Sequence, residues 1–186
     1  IVDESFIDFS EKPEENSMEN EIDNYTNLAI FKSMSKAYGI CGLRIGYMLT
    51  ANIEFAEEVR ACTHIWNING FAEEFLRLLP EYKDEFIQSC EKVRSDRDLM
   101  YKQICEINGM TVYKPNGNFI YCRVPDSARS APEIARDMFI NHNIYIKHCL
   151  GKTQPESERY LRIACRTEEE NDKLIKALID VIERKK

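Results

Sequence analysis

The chain has 186 residues, 44% of them apolar and 31% charged, and 25 basic against 32 acidic side chains give a formal net charge of −7. With only 7 Gly and 6 Pro, this balance excludes a disordered or collagenous polymer. The carboxylate excess excludes a general nucleic-acid binder, and no apolar run approaches the roughly 18–20 residues of a membrane-crossing helix.

In chain order, Ile1 to Phe9 alternates apolar and polar residues and predicts a strand. Ser10 to Asn24 is acidic and polar and predicts a loop with room for one helical turn. Leu28 to Phe31 is a short apolar run of the kind found in buried parallel strands. Gly39 and Gly42 punctuate a loop before a second strand at Leu43 to Leu49. From Asn52 the period turns helical through Ile53, Ala56 and Val59. It breaks at Asn67 to Gly70 and resumes through Phe71, Phe75 and Leu78 until Pro80.

Residues 81–108 predict the longest helix, closed by Asn108-Gly109. A strand at Phe119 to Val124, a helix at Ala131 to Asn141 with Pro132 in its first turn, and a short strand at Ile144 to Lys147 follow. The chain ends with a strand at Tyr160 to Cys165 and a helix at Glu168 to Glu183, headed by Thr167 and three glutamates in a capping arrangement. Alternating strands and helices predict an α/β fold divided near residue 80, into 1–80 and 81–186.

Seven scattered cysteines without a C-x-x-C pair give no support to a zinc ribbon or a redox motif. Most sit in apolar runs and are expected to be small buried hydrophobes of a reducing, cytoplasmic compartment. Cys62 with His64 and His148 with Cys149 lack a second ligand pair, so no metal is expected.

The stretch Ser33 to Tyr47 concentrates chemistry: hydroxyls at Ser33 and Ser35, the amine of Lys36, flexible Gly39 and Gly42, and Arg44. A lysine directly after a buried strand is expected to be partly desolvated, which favours the neutral, nucleophilic amine. Hydroxyls and a guanidinium in the same turn suit a phosphate. Together they suit a Schiff base with a phosphorylated aldehyde. The same residues also suit a plain surface loop with incidental charges.

The pattern S-x-S-K-x-x-G-x-x-G-x-R-x-G-Y resembles the pyridoxal-phosphate lysine segment of the fold-type I, class I and II aminotransferases, and in particular the branch of histidinol-phosphate aminotransferase and threonine-phosphate decarboxylase. About thirty residues upstream, Val2-Asp3-Glu4-Ser5-Phe6-Ile7-Asp8-Phe9 resembles that branch's D-E-A-[YF]-x-D-F strand. Downstream, Asn116-Gly117-Asn118-Phe119, Ile146-Lys147-His148-Cys149 and Leu161-Arg162-Ile163-Ala164 resemble its small-domain landmarks. The resemblance implies the later part of a pyridoxal-phosphate-transferase large domain followed by an α/β small domain.

It also implies residue roles. Asp3 matches the carboxylate that pairs with the pyridine nitrogen, and Lys36 the Schiff-base lysine and general base. Ser33 and Arg44 match phosphate ligands, with Ser35 assisting them or satisfying the loop backbone. Arg162 matches the arginine that grips the substrate carboxylate, with Lys147 and Asn118 beside it as substrate-site residues. On the residues alone, Asp3 between Val2 and a buried strand is expected to need a cationic partner.

Two positions depart from the pattern. Phe6 stands where many relatives carry a tyrosine that bonds the ring oxygen. Lys147 stands where phosphate-substrate relatives often place an arginine, keeping the charge but not the fork. Relatives are about twice this length, and the chain begins at Ile1, so it is expected to be a C-terminal portion, inactive alone, of a homodimeric enzyme acting on a small-molecule amino-acid substrate. Trp66-Asn67-Ile68-Asn69 and Cys149-Leu150-Gly151-Lys152 lean towards modules fused behind a nucleotidyltransferase domain. The rival expectations are a decarboxylase of amino-acid phosphates and a non-catalytic part serving dimerisation or lid packing.

Overall fold

Asp3 ends the first strand instead of continuing it. In the computed structural model, which describes residues 1–184, β1 covers only Val2–Asp3. The Asp3 carboxylate accepts both the backbone N–H and the hydroxyl of Ser5, and this local turn competes with the ladder. The chain then forms a 3₁₀ turn at Ile7–Phe9, so the nine-residue strand expected from the alternation is corrected to two residues. The acidic segment that follows holds one short helix, α1 (Pro13–Asn16), and a 3₁₀ turn at Glu19–Asn24. Buried Glu4 fastens it to the strand end by accepting from the Ser17 hydroxyl and the Met18 N–H, each at 2.7 Å.

By its internal contacts the chain divides into two units, Ile1–Glu91 and the residues from Lys92 onward. The break falls inside a helix and not at Pro80. In the first unit, β2 (Ile30–Ser33) lies between β1, which it pairs in parallel, and β3 (Gly46–Leu49), which it pairs antiparallel. β2 starts two residues later than its apolar run suggests, and β3 is confined to the end of the predicted Leu43–Leu49 strand, because the turn runs on to Leu43 and neither Arg44 nor Ile45 joins the ladder.

Helices α2 (Ile53–Cys62) and α3 (Gly70–Leu78) are capped by Asn52 and Asn69, whose side chains accept from Phe55 and Ala72 N–H at 3.0 Å. Asn69 also donates to the Leu43 carbonyl at 3.0 Å, tying α3 to the 39–45 turn. Met34, Ile45 and Ala72 are buried together, with Tyr38, Ile40, Leu43, Phe75 and Leu79 packed around them. Pro80 sits in a 3₁₀ turn at Leu79–Tyr82, and α4 (Lys83–Cys105) follows directly.

The second unit is a four-stranded antiparallel sheet, with β4 (Thr111–Tyr113), β5 (Phe119–Arg123), β6 (Lys147–His148) and β7 (Tyr160–Ala164) in the order β4-β5-β7-β6. β4 has no counterpart in the sequence reading, and β6 lies at the end of the predicted Ile144–Lys147 strand. Helices α5 (Ala131–His142) and α6 (Glu168–Glu183) both start in capping boxes, Ser130 with Glu133 and Thr167 with Glu170. The period-two alternation sends Ile120, Cys122, Leu161 and Ile163 into a core with Ile134, Met138, Leu174 and Leu178. Phe119, Tyr121, Tyr160 and Arg162 therefore line the opposite face.

The cysteines divide differently from expectation. Cys90, Cys122 and Cys149 are buried and Cys165 is half-buried, but Cys41, Cys62 and Cys105 are exposed. The exposed three stand in a turn or in the last residue of a helix, where no neighbouring element covers them. His64, beside Cys62, is exposed too. Among the described residues no helix is long and apolar enough to cross a membrane.

Candidate active site

The ends of β1 and β2 and the start of β3 open onto a cleft of about 510 Å³, lined among others by Asp3, Ser5, Lys32, Ser33, Arg44 and Tyr47. Asp3 contributes a carboxylate. Two hydrogen bonds from Ser5, at 2.6 Å from the hydroxyl and 2.9 Å from the N–H, hold its pKa below the usual carboxylate range. Asp3 thus stays ionised as the pH falls past the point where an ordinary aspartate protonates. The cationic partner expected for Asp3 is replaced by Ser5, because Asp3 is exposed and needs no buried counter-charge.

At the end of β2 and just after it, Ser33, Ser35 and Arg44 come together as the motif spacing predicts. The Ser35 N–H donates to the Ser33 hydroxyl at 3.3 Å, and the Arg44 guanidinium donates to the Ser35 hydroxyl at 3.4 Å and to the Cys41 carbonyl at 3.0 Å. Arg44 takes the left-handed conformation, φ 57°, at a cost of about 1–2 kcal/mol for a side-chain-bearing residue. Strain of this kind persists where surrounding structure imposes it and concentrates at working sites. Tyr47, also in the cleft, donates to Glu19 at 2.7 Å; burial and that bond push its pKa up, so it remains a neutral phenol.

Lys36 lies in the turn between Ser35 and Gly39 and is exposed, which corrects the expectation of a desolvated amine. The desolvated lysine is Lys32, on β2. Its ammonium is 2.8 Å from Asp8, with the two side chains 9% and 13% exposed. β2 runs on to Ser33, so the lysine nearest the buried strand is inside it, and Lys36 follows three residues after the strand end. Phe6 is half-buried and opens the 3₁₀ turn that carries Asp8.

Gly46 sets how closely β3 approaches β2. It stands opposite Ser33, and a Cβ there would meet the Lys32 carbonyl at 2.7 Å. Gly46→Ala is therefore expected to lower stability by about 1–3 kcal/mol through overpacking, measured by urea unfolding. An unchanged midpoint would show that β2 yields freely.

In the second unit, Arg162 on β7 is flanked in register by Tyr121 on β5 and Lys147 on β6. Its guanidinium lies 4.0 Å from the centroid of the Phe119 ring, a cation–π contact that orients it. Asn118, half-buried just before β5, accepts the Cys165 N–H at 2.9 Å through its carbonyl. Phe119, Lys147 and Arg162 share one sheet face, with Asn118 at its edge.

The family model for aminotransferase class I and II matches residues 1–178. The chain belongs to the class I and II aminotransferase family. It is 37% identical over 182 residues to the CMP-5'-(3-aminopropyl)phosphonate synthase of Streptomyces rubellomurinus, covering 98% of this chain and 29% of that protein. It is 34% identical over 191 residues to an L-serine phosphate decarboxylase of Campylobacter jejuni, covering 97% and 47% respectively. The histidinol-phosphate aminotransferase structure from Clostridium acetobutylicum superposes with a TM-score of 0.89 at 29% identity, over 97% of this chain and 53% of that one. The chain thus spans about half or less of the length of these relatives. The α/β class expected from the sequence is that of fold-type I transferases.

Within this family framework, sequence reasoning missed Ser5, Glu4 and the Lys32–Asp8 pair. Lys32 and Asp8 are 24 residues apart, and no local pattern joins them. Ser5 carried a signal, since it occupies the alanine position of the resembled strand.

Proposed function

We propose that the protein is a pyridoxal-phosphate-dependent aminotransferase acting on an amino acid, with Lys36 as its reactive amine. The observation that carries this is the cleft, which sets an ionised carboxylate, Asp3, and a cluster of anion donors, Ser33 and Arg44, on the rim of one small-molecule-sized volume. Those residues fit the group: Asp3 would hold the ring nitrogen, Ser33, Ser35 and Arg44 the phosphate, and Lys36 the aldehyde carbon. When bound, the cofactor supplies an electron sink for the bonds at the substrate's Cα. Asp3, kept anionic by Ser5, would favour a protonated ring nitrogen when the cofactor is bound. Lys36, exposed on the turn after β2, would take the Cα proton onto Nζ and return it. In the second unit, Arg162, held in place by Phe119, carries the fork that suits a substrate carboxylate.

A second reading, decarboxylation of an amino-acid phosphate, is supported by the likeness to L-serine phosphate decarboxylase and by Lys147 directly beside Arg162. Two cations side by side suit a substrate with two anionic groups. Incubating the protein with pyridoxal phosphate and amino acids, with and without a phosphate ester, separates the readings. Keto acid supports the first, and carbon dioxide without keto acid the second. Neither product, and no visible-edge absorbance from bound cofactor, would leave the non-catalytic reading.

Arg162→Ala is expected to raise KM for the amino acid about tenfold or more, as the loss of a charge-assisted bond predicts, with cofactor absorbance unchanged. Steady-state kinetics check this, and an unaltered KM removes Arg162 from substrate binding.

A further inference from the structure

We propose that Ser5 is a positioning residue whose hydroxyl links the Asp3 carboxylate to the end of β2, holding the ring-nitrogen partner and the phosphate-binding serine as one unit. The inference rests on the cofactor reading for its purpose and on this chain's own hydrogen bonds for its geometry.

Ser5 is 9% exposed. Its Oγ accepts the Ser33 N–H at 2.9 Å and donates to Asp3 Oδ1 at 2.6 Å, while its own N–H donates to the same oxygen at 2.9 Å. The acceptor role fixes the hydroxyl lone pairs towards Ser33, so its one proton goes to the carboxylate. A chain of donors then runs from the β2 backbone through one oxygen to an anion, and each bond polarises the next. Both bonds to Asp3 fall on Oδ1, which leaves Oδ2 as the acceptor for a ring N–H.

Asp3 and Ser33 stand on neighbouring parallel strands and line one cleft. A shift of either along its strand would change the span between carboxylate and phosphate donors, and the Ser5 hydroxyl resists that shift. Alanine, the residue of the resembled strand, offers neither donor nor acceptor. The other charged or titratable groups lining the cleft are Lys32, Arg44 and Tyr47. Lys32 is engaged by Asp8, Arg44 by Ser35 and Cys41, and Tyr47 by Glu19.

The test uses the full chain with Ser5→Ala and Ser5→Thr, the latter keeping the hydroxyl. In ligand-free protein, carbon NMR of labelled aspartate, assigned with Asp3→Asn, follows the Asp3 titration, and hydrogen exchange follows the Ser33 amide. In Ser5→Ala the Asp3 midpoint is expected to rise towards the ordinary carboxylate value and Ser33 exchange to quicken about tenfold, as loss of a bond to a charged group predicts. In Ser5→Thr both are expected to stay near wild type.

Pyridoxal phosphate affinity is expected to fall about tenfold in Ser5→Ala, and not to fall further when Ser5→Ala is added to Asp3→Asn. An Asp3 midpoint unmoved by Ser5→Ala, or affinity losses that simply add, overturns the proposal. If the wild-type chain binds no pyridoxal phosphate, the cofactor reading fails, and the titration and exchange measurements still decide the Ser5 link. Thermal unfolding identifies a variant that has lost its fold, in which case Ser5→Cys, with its weaker donor, replaces Ser5→Ala and is expected to raise the midpoint by less.

Discussion

Borohydride treatment of the chain loaded with pyridoxal phosphate fixes the cofactor's mass on Lys36 and leaves Lys32 unmodified. Two lysines stand close together in the sequence, and burial alone favours the wrong one. Lys32 is desolvated, but its Nζ is bonded to Asp8 at 2.8 Å inside the first unit, and attack on a carbonyl would require breaking that pair. Lys36 is exposed on the turn that carries Ser35 and follows Ser33 at the end of β2. Peptide mass spectrometry of the reduced protein reads the result directly. Lys36→Ala is expected to abolish the label and to lower turnover by about 10²–10⁴-fold, the usual range for removing a proton-transferring group. A label on Lys32, or one that survives Lys36→Ala, would falsify the assignment of the reactive amine.

The largest effect on stability is expected at Asp8. Asp8→Ala leaves the Lys32 ammonium without its carboxylate in a site where both side chains are nearly covered. Breaking a buried pair from one side costs about 3–5 kcal/mol. With a urea slope of about 1–3 kcal/mol per molar, the transition that unfolds β1–β3 should move down by about 1–5 M. Removing both charges is much less damaging, so Asp8→Leu with Lys32→Met is expected to recover most of the loss. Circular dichroism during urea titration measures both. If the single variant unfolds at the wild-type midpoint, solvent reaches this pair and it holds nothing together.

The second unit was the more legible in sequence, for physical reasons. The alternation of Phe119 to Arg123 and of Tyr160 to Ala164 marks a sheet with one covered face. Ser130-Glu133 and Thr167-Glu170 announce their helices because capping is a local interaction. The first unit hid its structure in contacts that sequence spacing does not display. Ile1 to Phe9 has the right alternation for a long strand, yet one carboxylate taking two donors from Ser5 turned the chain after Asp3. The Leu28–Phe31 run gave a strand of the right kind, displaced by two residues, because a buried charged Lys32 reads as polar until its partner is found.

The chemical residues were legible by type and order. Ser33, Ser35 and Arg44 do converge, as the motif predicts. What the motif did not convey was which lysine is covered, or that the hydroxyl of Ser5 ties the cleft together, since both depend on pairs closed only by folding.

The left-handed backbone at Arg44 sets a conflict for anyone evolving this protein in the laboratory. Glycine would relieve the conformation at no steric cost. It would also withdraw the guanidinium from the Ser35 hydroxyl and the Cys41 carbonyl. Selection for heat resistance alone would therefore drift towards Arg44→Gly, and selection for turnover would hold the arginine in place. A library screened for both should show that position pulled in opposite directions.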